Sequence, residues 1–289
     1  MVMLRVFLMV LAALGCIAGF STGARADLAE IKASGVLRHL GVPYSNFVSG
    51  DGDGLDVEIL KLYASSIGVR YEYVPTTWED VISDLSGKKF VLKGDMVEIT
   101  GDSPVRGDIV GNGLTVLPWR QELINFSTPY FPSAVWVVAS AKSDLRPIQP
   151  SANPAMDVME TKKLLVGRQI LGIRDTCLDP ASYDLPGSFP AYKEGLLLND
   201  LPAAVIKGEY EITLQDAPDA MFALIKNPGK IKVLGPITDR QLMAFGIPKN
   251  SPELQKSFDA FLKQLDDSGK KRELITKYYP RLYDHFPEW

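Results

Sequence analysis

The stretch Gly111 to Phe131, GNGLTVLPWRQELINFSTPYF, decides how the rest of the chain is read. Gly113-Leu114-Thr115-Val116 is a short apolar run with one hydroxyl. Leu117-Pro118 breaks it, and Trp119-Arg120 opens a polar segment that ends at Phe126-Ser127-Thr128-Pro129-Tyr130-Phe131. The pattern predicts a strand, a sharp turn and a single cation just past the strand end. A guanidinium fork beside a hydroxyl and free backbone N–H groups suits a carboxylate better than an ammonium does. On spacing alone Arg120 is either that anion contact or a surface arginine paired with Glu122.

Outside this stretch, the first 26 residues have the plan of a cleaved secretory signal. They run from a basic start (Met1 to Arg5) through an apolar segment (Val6 to Phe20) to a small-residue end at Ala24-Arg25-Ala26. The apolar run is shorter than the ~20 residues of a spanning helix, which sets a membrane anchor aside. Lipidation at Cys16, within Leu14-Gly15-Cys16, is the other option, but the apolar run continues past it. The expected location is the periplasm.

Cleavage removes two arginines and no acids, leaving 29 basic and 35 acidic residues, net −6. That mildly acidic balance, with no basic cluster, gives no reason to expect nucleic acid or an anionic membrane surface as partner. Cys177 is then the sole cysteine, and His39 and His285 are the only histidines. An internal disulfide is excluded, no zinc cluster of ordinary spacing can be assembled, and no cofactor is expected. With 46% apolar and 23% charged residues, the chain is long enough for one large or two medium domains.

Taken in order, Leu28 to Ser34 predicts a short helix and Val36 to Val42 a strand ended by Pro43, with Tyr44, Ser45, Asn46 and Phe47 in the loop at its carboxyl end. Asp51-Gly52-Asp53-Gly54 begins like a calcium loop, but Leu55 holds the next ligand position and no glutamate stands twelfth, so a plain turn is expected. Asp56 to Ile67 has helical spacing at Val57, Leu60, Ala64 and Ile67. Val69 to Val74 alternates as a strand, and Thr76 to Asp80 caps a helix to about Leu85. This strand-helix-strand-helix order is that of an α/β layer whose crevice lies at the strands' carboxyl ends. Residues 88 to 108 read as an insertion with a hairpin around Lys93-Gly94-Asp95, and Tyr130 to Ser140 as an apolar strand. A second α/β unit follows, with a strand at Gln169 to Ile173, a helix at Leu201 to Lys207, and a strand Ile212 to Leu214 whose end presents Gln215-Asp216. The chain closes on helices at Pro252 to Leu265 and Lys270 to Tyr279.

Together these pieces resemble the extracellular solute-binding proteins of family 3, the polar amino-acid receptors of bacterial ABC importers. The matching segments are Gly54 to Leu85, Gly111 to Phe131, the Gln215-Asp216 strand end, and Phe245 to Pro280. The resemblance implies an α/β, two-lobed periplasmic-binding-protein fold of type II with two crossover strands and a ligand cleft between the lobes. Lobe 1 would be residues 27–138 and 245–289 with an insertion at 88–108, and lobe 2 residues 139–244. In the family a threonine and an arginine five residues later hold the ligand's α-carboxylate, as Thr115 and Arg120 would here. An acid at a strand end of the second lobe binds the α-ammonium, the role of Asp216. Phe47 and Trp78 match the aromatic walls, with Tyr44 as a third. Opposite fixed charges on opposite lobes let a zwitterion stabilise only the closed state.

One departure stands out. Where relatives carry a small glycine-threonine turn, this chain has Arg174-Asp175-Thr176-Cys177. Thr176 carries over as a ligand contact. Asp175 would oppose a carboxylate, so it faces solvent, pairs with Arg174, or signals a different ligand. The implied partners are a small-molecule ligand, most simply an amino acid, and the membrane subunits of an ABC importer, with the protein itself a monomer. Two other classes remain open. One is an enzyme resembling the secreted cyclohexadienyl dehydratases, although no carboxylate is marked as a general acid. The other is an accessory or sensory protein of a periplasmic dehydrogenase or receptor, suggested by Pro43 to Asn46 and by the insertion. Murein cleavage, which goes with an added catalytic domain, is not expected.

Overall fold

The computed structural model describes residues 27–286 apart from 50, 51, 95, 152, 175 and 281. The leader expected at 1–26 and the orientation of Asp175 lie outside the described residues. The chain begins with α1 (Leu28–Ser34), whose N-terminus is closed by a capping box between Asp27 and Glu30 and whose C-terminus ends at Gly35 in the left-handed region, φ 71°. There follow β1 (Val36–Gly41), α2 (Leu55–Ser66), β2 (Arg70–Pro75), α3 (Val81–Ser86), the hairpin β3 (Lys88–Lys93) and β4 (Met96–Asp102), β5 (Ile109–Val110), α4 (Pro118–Leu123) and β6 (Ile124–Phe126). Next come β7 (Phe131–Ser133), β8 (Val135–Ser140), α5 (Pro154–Leu164), β9 (Gln169–Leu171), β10 (Phe189–Ala191), α6 (Leu201–Lys207), β11 (Ile212–Asp216), α7 (Ala217–Lys226) and β12 (Ile231–Pro236). The chain then runs through β13 (Gln241–Met243), β14 (Gly246–Pro248), α8 (Pro252–Asp267), α9 (Lys270–Tyr278) and α10 (Leu282–His285).

Two five-stranded sheets organise these elements, ordered β2-β1-β5-β14-β6 and β10-β9-β11-β8-β12. In the first, β1 runs parallel to β2 and β5, and β14 opposes β5 and β6. In the second, β9 runs parallel to β10 and β11, and β8 opposes β11 and β12. In each sheet the fourth strand is the one that has just arrived from the other lobe. The two crossings, β7 and β13, pair antiparallel with each other. The result is two α/β layers joined by two crossing strands, so the carboxyl ends of β1 and of β11 face a common cleft.

The core explains why these segments hold. Helix α8 buries Leu254, Phe258, Leu262 and Leu265 along one stripe, each worth roughly 1.5–3 kcal/mol relative to exposure. Around it the first lobe stacks aromatics. Tyr63 meets Phe258 at 4.8 Å, Phe258 meets Phe245 at 4.9 Å, and Phe245 meets Tyr130 at 4.6 Å.

Three expectations are corrected in detail. Gly113 to Val116 is not a sheet strand. It runs beside the returning segment, with Thr115 bridging Met243 and Val116 N–H donating to Leu242 at 2.8 Å. Arg120 follows no strand end but lies in the short helix α4, because Pro118 has no N–H to lose and its fixed φ suits the first helical position. The apolar run from Tyr130 to Ser140 divides into β7 and β8 at Ala134, whose carbonyl accepts from Ala217 N–H at 2.8 Å. The insertion does form a hairpin, β3 against β4, and its Phe90 packs on Trp119 at 5.6 Å. Helix α5 is capped by the Asn153 side chain, which accepts from Ala155 and Met156 N–H.

Candidate functional site

The loop before α4 is pinned from beneath by two buried groups. His39 on β1 lies 2.7 Å from Tyr71 Oη through Nδ1 and 2.6 Å from the Gly111 carbonyl through Nε2. Burial lowers its pKa to about 4, so the ring is neutral near pH 7. Asp56 on α2 accepts from Gly113 N–H at 2.8 Å and from the Tyr130 hydroxyl. Burial pushes its pKa up to about 7 against those two bonds. Gly113 holds φ 64°, and a Cβ there would strike the Phe47 ring at 2.5 Å, so this position needs glycine twice over.

Held this way, the loop delivers Thr115 and Arg120 to the interior. Arg120 is 3% exposed, and its Nη1 donates to the Thr115 carbonyl at 2.8 Å. Its Nε and the Thr115 hydroxyl, both buried, have no hydrogen-bond partner of normal geometry. Burial lowers the Arg120 pKa, while Cys177, Asp216 and Tyr183 act in the opposite direction. A surface pairing with Glu122 is thereby set aside. The guanidinium is buried, and it donates to a backbone carbonyl. A buried cation with unfilled donors is costly unless an anion joins it.

The second lobe supplies the opposite charge. Asp216 ends β11 and precedes α7, and its side chain does not cap the helix. It is 1% exposed and accepts from the Tyr44 hydroxyl at 2.6 Å, across the lobes, with Cys177 Sγ 3.5 Å from the same oxygen. Burial raises the Asp216 pKa, opposed by Tyr44, Cys177, Arg120 and Ser133. A second crossing contact, Ser45 N–H to Asn199 Oδ1 at 3.0 Å, involves the one non-glycine residue of positive φ among the described residues, Ser45 at 45°.

Tyr44, Thr115, Arg120 and Asp216 are thus brought together, and Trp78 stands against Tyr44 edge-on at 5.5 Å. Phe47 is corrected from a cleft wall to a core residue. It is wholly buried behind Tyr44 and packs on Phe131 and Tyr279 at 5.0 Å each. Thr176 spends its hydroxyl on its own turn, donating to the Ile173 carbonyl at 2.8 Å and accepting from Leu178 N–H at 3.0 Å. Arg174 lies 3.8 Å over the Tyr192 ring.

Two residues of this site escape sequence reading. Cys177 looks like an ordinary buried thiol, yet it approaches Asp216, Arg120 and Thr115, and burial and Asp216 push its pKa well up. Asp219 looks like a first-turn helix acid. It is buried with neither oxygen in normal hydrogen-bond geometry, and burial, followed by the neighbouring Asp216, raises its pKa to about 7. Its spacing of three from Asp216, in an apolar helix start, is the signal that was available. Among the described residues no group of three or more His, Cys, Asp or Glu is placed to hold a metal ion, and no helix is long and apolar enough to cross a membrane.

Comparison with known proteins bears on the family and the fold. The model of the bacterial extracellular solute-binding proteins, family 3, matches residues 104–281. The membrane-bound lytic murein transglycosylase F of Stutzerimonas stutzeri is 23% identical over 262 residues, covering 88% of this chain and 48% of that protein, so the chain spans about half its length. The L-cystine-binding protein TcyJ of Escherichia coli is 23% identical, with 95% of both chains covered. A probable amino-acid ABC transporter-binding protein of Haemophilus influenzae is 25% identical, covering 80% of this chain and 77% of that one. Among solved structures, a mutant of the arginine-binding protein ArgBP from T. maritima superposes with TM-score 0.69 at 23% identity, over 88% of this chain and 99% of that one. AbpA from Streptococcus pneumoniae, bound to L-arginine, gives 0.67 at 20% over 87% and 98%. At these identities the structural likeness speaks for the two-lobed type II fold alone.

Proposed function

This chain belongs to the bacterial extracellular solute-binding proteins of family 3, and from that premise we propose that it captures a polar amino acid or similar small zwitterion between its lobes and delivers it to an ABC importer. The observation that carries the reading is the buried pair of opposed charges. Arg120, with an unpartnered Nε, sits on one lobe, and Asp216, on the first residue before a helix, sits on the other. A carboxylate at Arg120 and the Thr115 hydroxyl, together with an ammonium at Asp216, would satisfy groups from both lobes at once and so favour the closed state. Tyr44, reaching from the first lobe to Asp216, would be the contact that registers closure. The role is binding rather than catalysis, in the periplasm, as a monomer that docks on importer membrane subunits.

Isothermal titration of the purified protein against the free amino acids tests the proposal, with Arg120→Ala as control. Saturable binding of one or a few amino acids, lost in the variant, is expected. Heat from no zwitterion, or equal binding by the variant, would overturn it.

A further inference from the structure

Between the lobes lies a space of about 380 Å³ that none of Tyr44, Thr115, Arg120, Cys177 or Asp216 lines. The first lobe gives it Ser45, Asn46 and Ser49, and the second gives it Asn199, Gln215 and Asp219. Ser45 N–H donates to Asn199 Oδ1 at 3.0 Å and so ties the two walls together. Pro202 and Phe222 add an apolar side. Among the described residues that line this space, Asp219 and Lys226 are the charged ones.

Asp219 has no evident structural work to do there. It stands in the first turn of α7, where an acid suits the helix dipole, yet that interaction supplies no donor to its oxygens. The residue is 8% exposed, and both oxygens are buried with no hydrogen-bond partner of normal geometry. Lys226 does not fill the gap, because its side chain is exposed and its Nζ lies 4.3 Å over the Phe222 ring. Burial raises the Asp219 pKa most, Asp216 adds to that, and the Ser45 and Tyr44 hydroxyls act against it. A buried carboxylate left this way carries a desolvation penalty that an incoming cation would offset.

The walls also say which cation. No group of three or more His, Cys, Asp or Glu is placed to hold a metal ion among the described residues, and one carboxylate among amides and hydroxyls balances a single positive charge. Asn46 spends its Nδ2 on the Tyr278 carbonyl at 2.8 Å, so the side-chain atom it retains is the acceptor Oδ1. The volume is about a dozen times the ~30 Å³ share of one water, which leaves room for an organic body beside Pro202 and Phe222. A ligand carboxylate would gain nothing here, since the unpartnered buried group is itself an anion. We propose that this space is a second ligand site, separate from the zwitterion clamp, and that it takes a small primary amine as its ammonium ion. The ammonium donates to Asp219, with Ser45 and Asn46 as further acceptors, and a short alkyl chain lies along Pro202 and Phe222.

The test uses n-propylammonium chloride, added to the intact protein at pH 8 and followed by ligand-observed NMR. Saturable binding is expected, with n-propanol, which lacks the charge, and tetramethylammonium, which lacks N–H donors, each at least tenfold weaker. Asp219→Asn is expected to weaken propylammonium at least tenfold. Without amine that variant should melt no lower than the parent, because Asp219 has no partner to lose. Absence of saturable binding would overturn the proposal, as would propanol or tetramethylammonium binding equally well, unchanged binding by Asp219→Asn, or a lowered melting temperature for that variant. Displacement of propylammonium by an amino acid that binds the clamp would place the amine at Asp216 and overturn it too. The Asp219→Asn comparison needs no amino acid, so it decides this site even where the zwitterion reading fails.

Discussion

Replacing Arg120 by methionine separates ligand binding from folding more sharply than any other single change. Methionine keeps most of the apolar volume and removes the charge. In the protein without ligand, the loss is the bond from Nη1 to the Thr115 carbonyl at 2.8 Å, worth about 1.5–3 kcal/mol for a charged donor. Against this stands relief of a guanidinium that is 3% exposed, has its Nε unfilled and has Cys177, Asp216, Tyr183 and the Trp119 ring at 5.1 Å to offset its burial. Burying such a charge costs several kcal/mol, so the two effects nearly cancel, and apo stability is expected to change by no more than about 1–2 kcal/mol, in either direction. Binding has no such compensation. Removing the cation leaves the ligand's carboxylate buried without its charged partner, a loss of about 3–5 kcal/mol, or a Kd raised by roughly 100- to 4,000-fold. Thermal unfolding without ligand and calorimetric titration with the best amino acid measure the two halves. A variant that binds within threefold of the parent would refute the reasoning. So would one that loses binding only because its apo form is unfolded at the assay temperature.

Other consequences follow from the same geometry. Tyr44→Phe deletes the hydroxyl that reaches Asp216 across the lobes at 2.6 Å; with a charged acceptor this is about 1.5–3 kcal/mol, so ligand affinity should fall about tenfold or more by calorimetry, and unchanged affinity would count against Tyr44 as the closure contact. Cys177 lies buried against Asp216 with its thiol pKa pushed up, so maleimide labelling, followed by mass spectrometry, should be slow and slower still with saturating ligand; ligand-independent labelling would place the thiol outside the cleft. Asp56 has a pKa raised to about 7 by burial, from an ordinary 3.8. Its protonated form is favoured in the folded state, so its contribution to stability is full below pH 4 and is lost as pH rises through 7. Denaturant unfolding between pH 5 and 8 should show the parent losing about 2–4 kcal/mol more than Asp56→Asn. Parallel curves would show that Asp56 does not titrate in that range.

Much of this molecule is legible along the chain because its information is local. Period and turn residues mark β1, α2, β2 and the helices at the C-terminal end, and Asp216 is legible as the charge that ends β11. What is hidden depends on three-dimensional competition. Phe47 and Tyr44 look alike as loop aromatics, but Gly113 leaves room beneath it for the Phe47 ring and so draws that ring into the core. Thr176 and Cys177 are neighbours, and the turn takes up the threonine hydroxyl, which leaves the thiol to face Asp216. The place of Arg120 in α4 is set by Pro118, which can both break a strand and begin a helix. Nothing in one sequence says which of these outcomes prevails, because each is a competition settled only in the folded chain, as where the Phe47 ring meets Gly113 and the Cys177 thiol meets Asp216.

The central claim is that both charged ends of a zwitterion are held, one by each lobe. It is tested most directly by titrating the protein with its best amino acid, with the methyl ester of that amino acid and with its N-acetyl derivative. The ester loses the charge that Arg120 and Thr115 would hold, and the N-acetyl form the charge that Asp216 would hold. Each is predicted to bind at least 100-fold more weakly than the parent amino acid. Either derivative binding as tightly as the free amino acid would contradict the account.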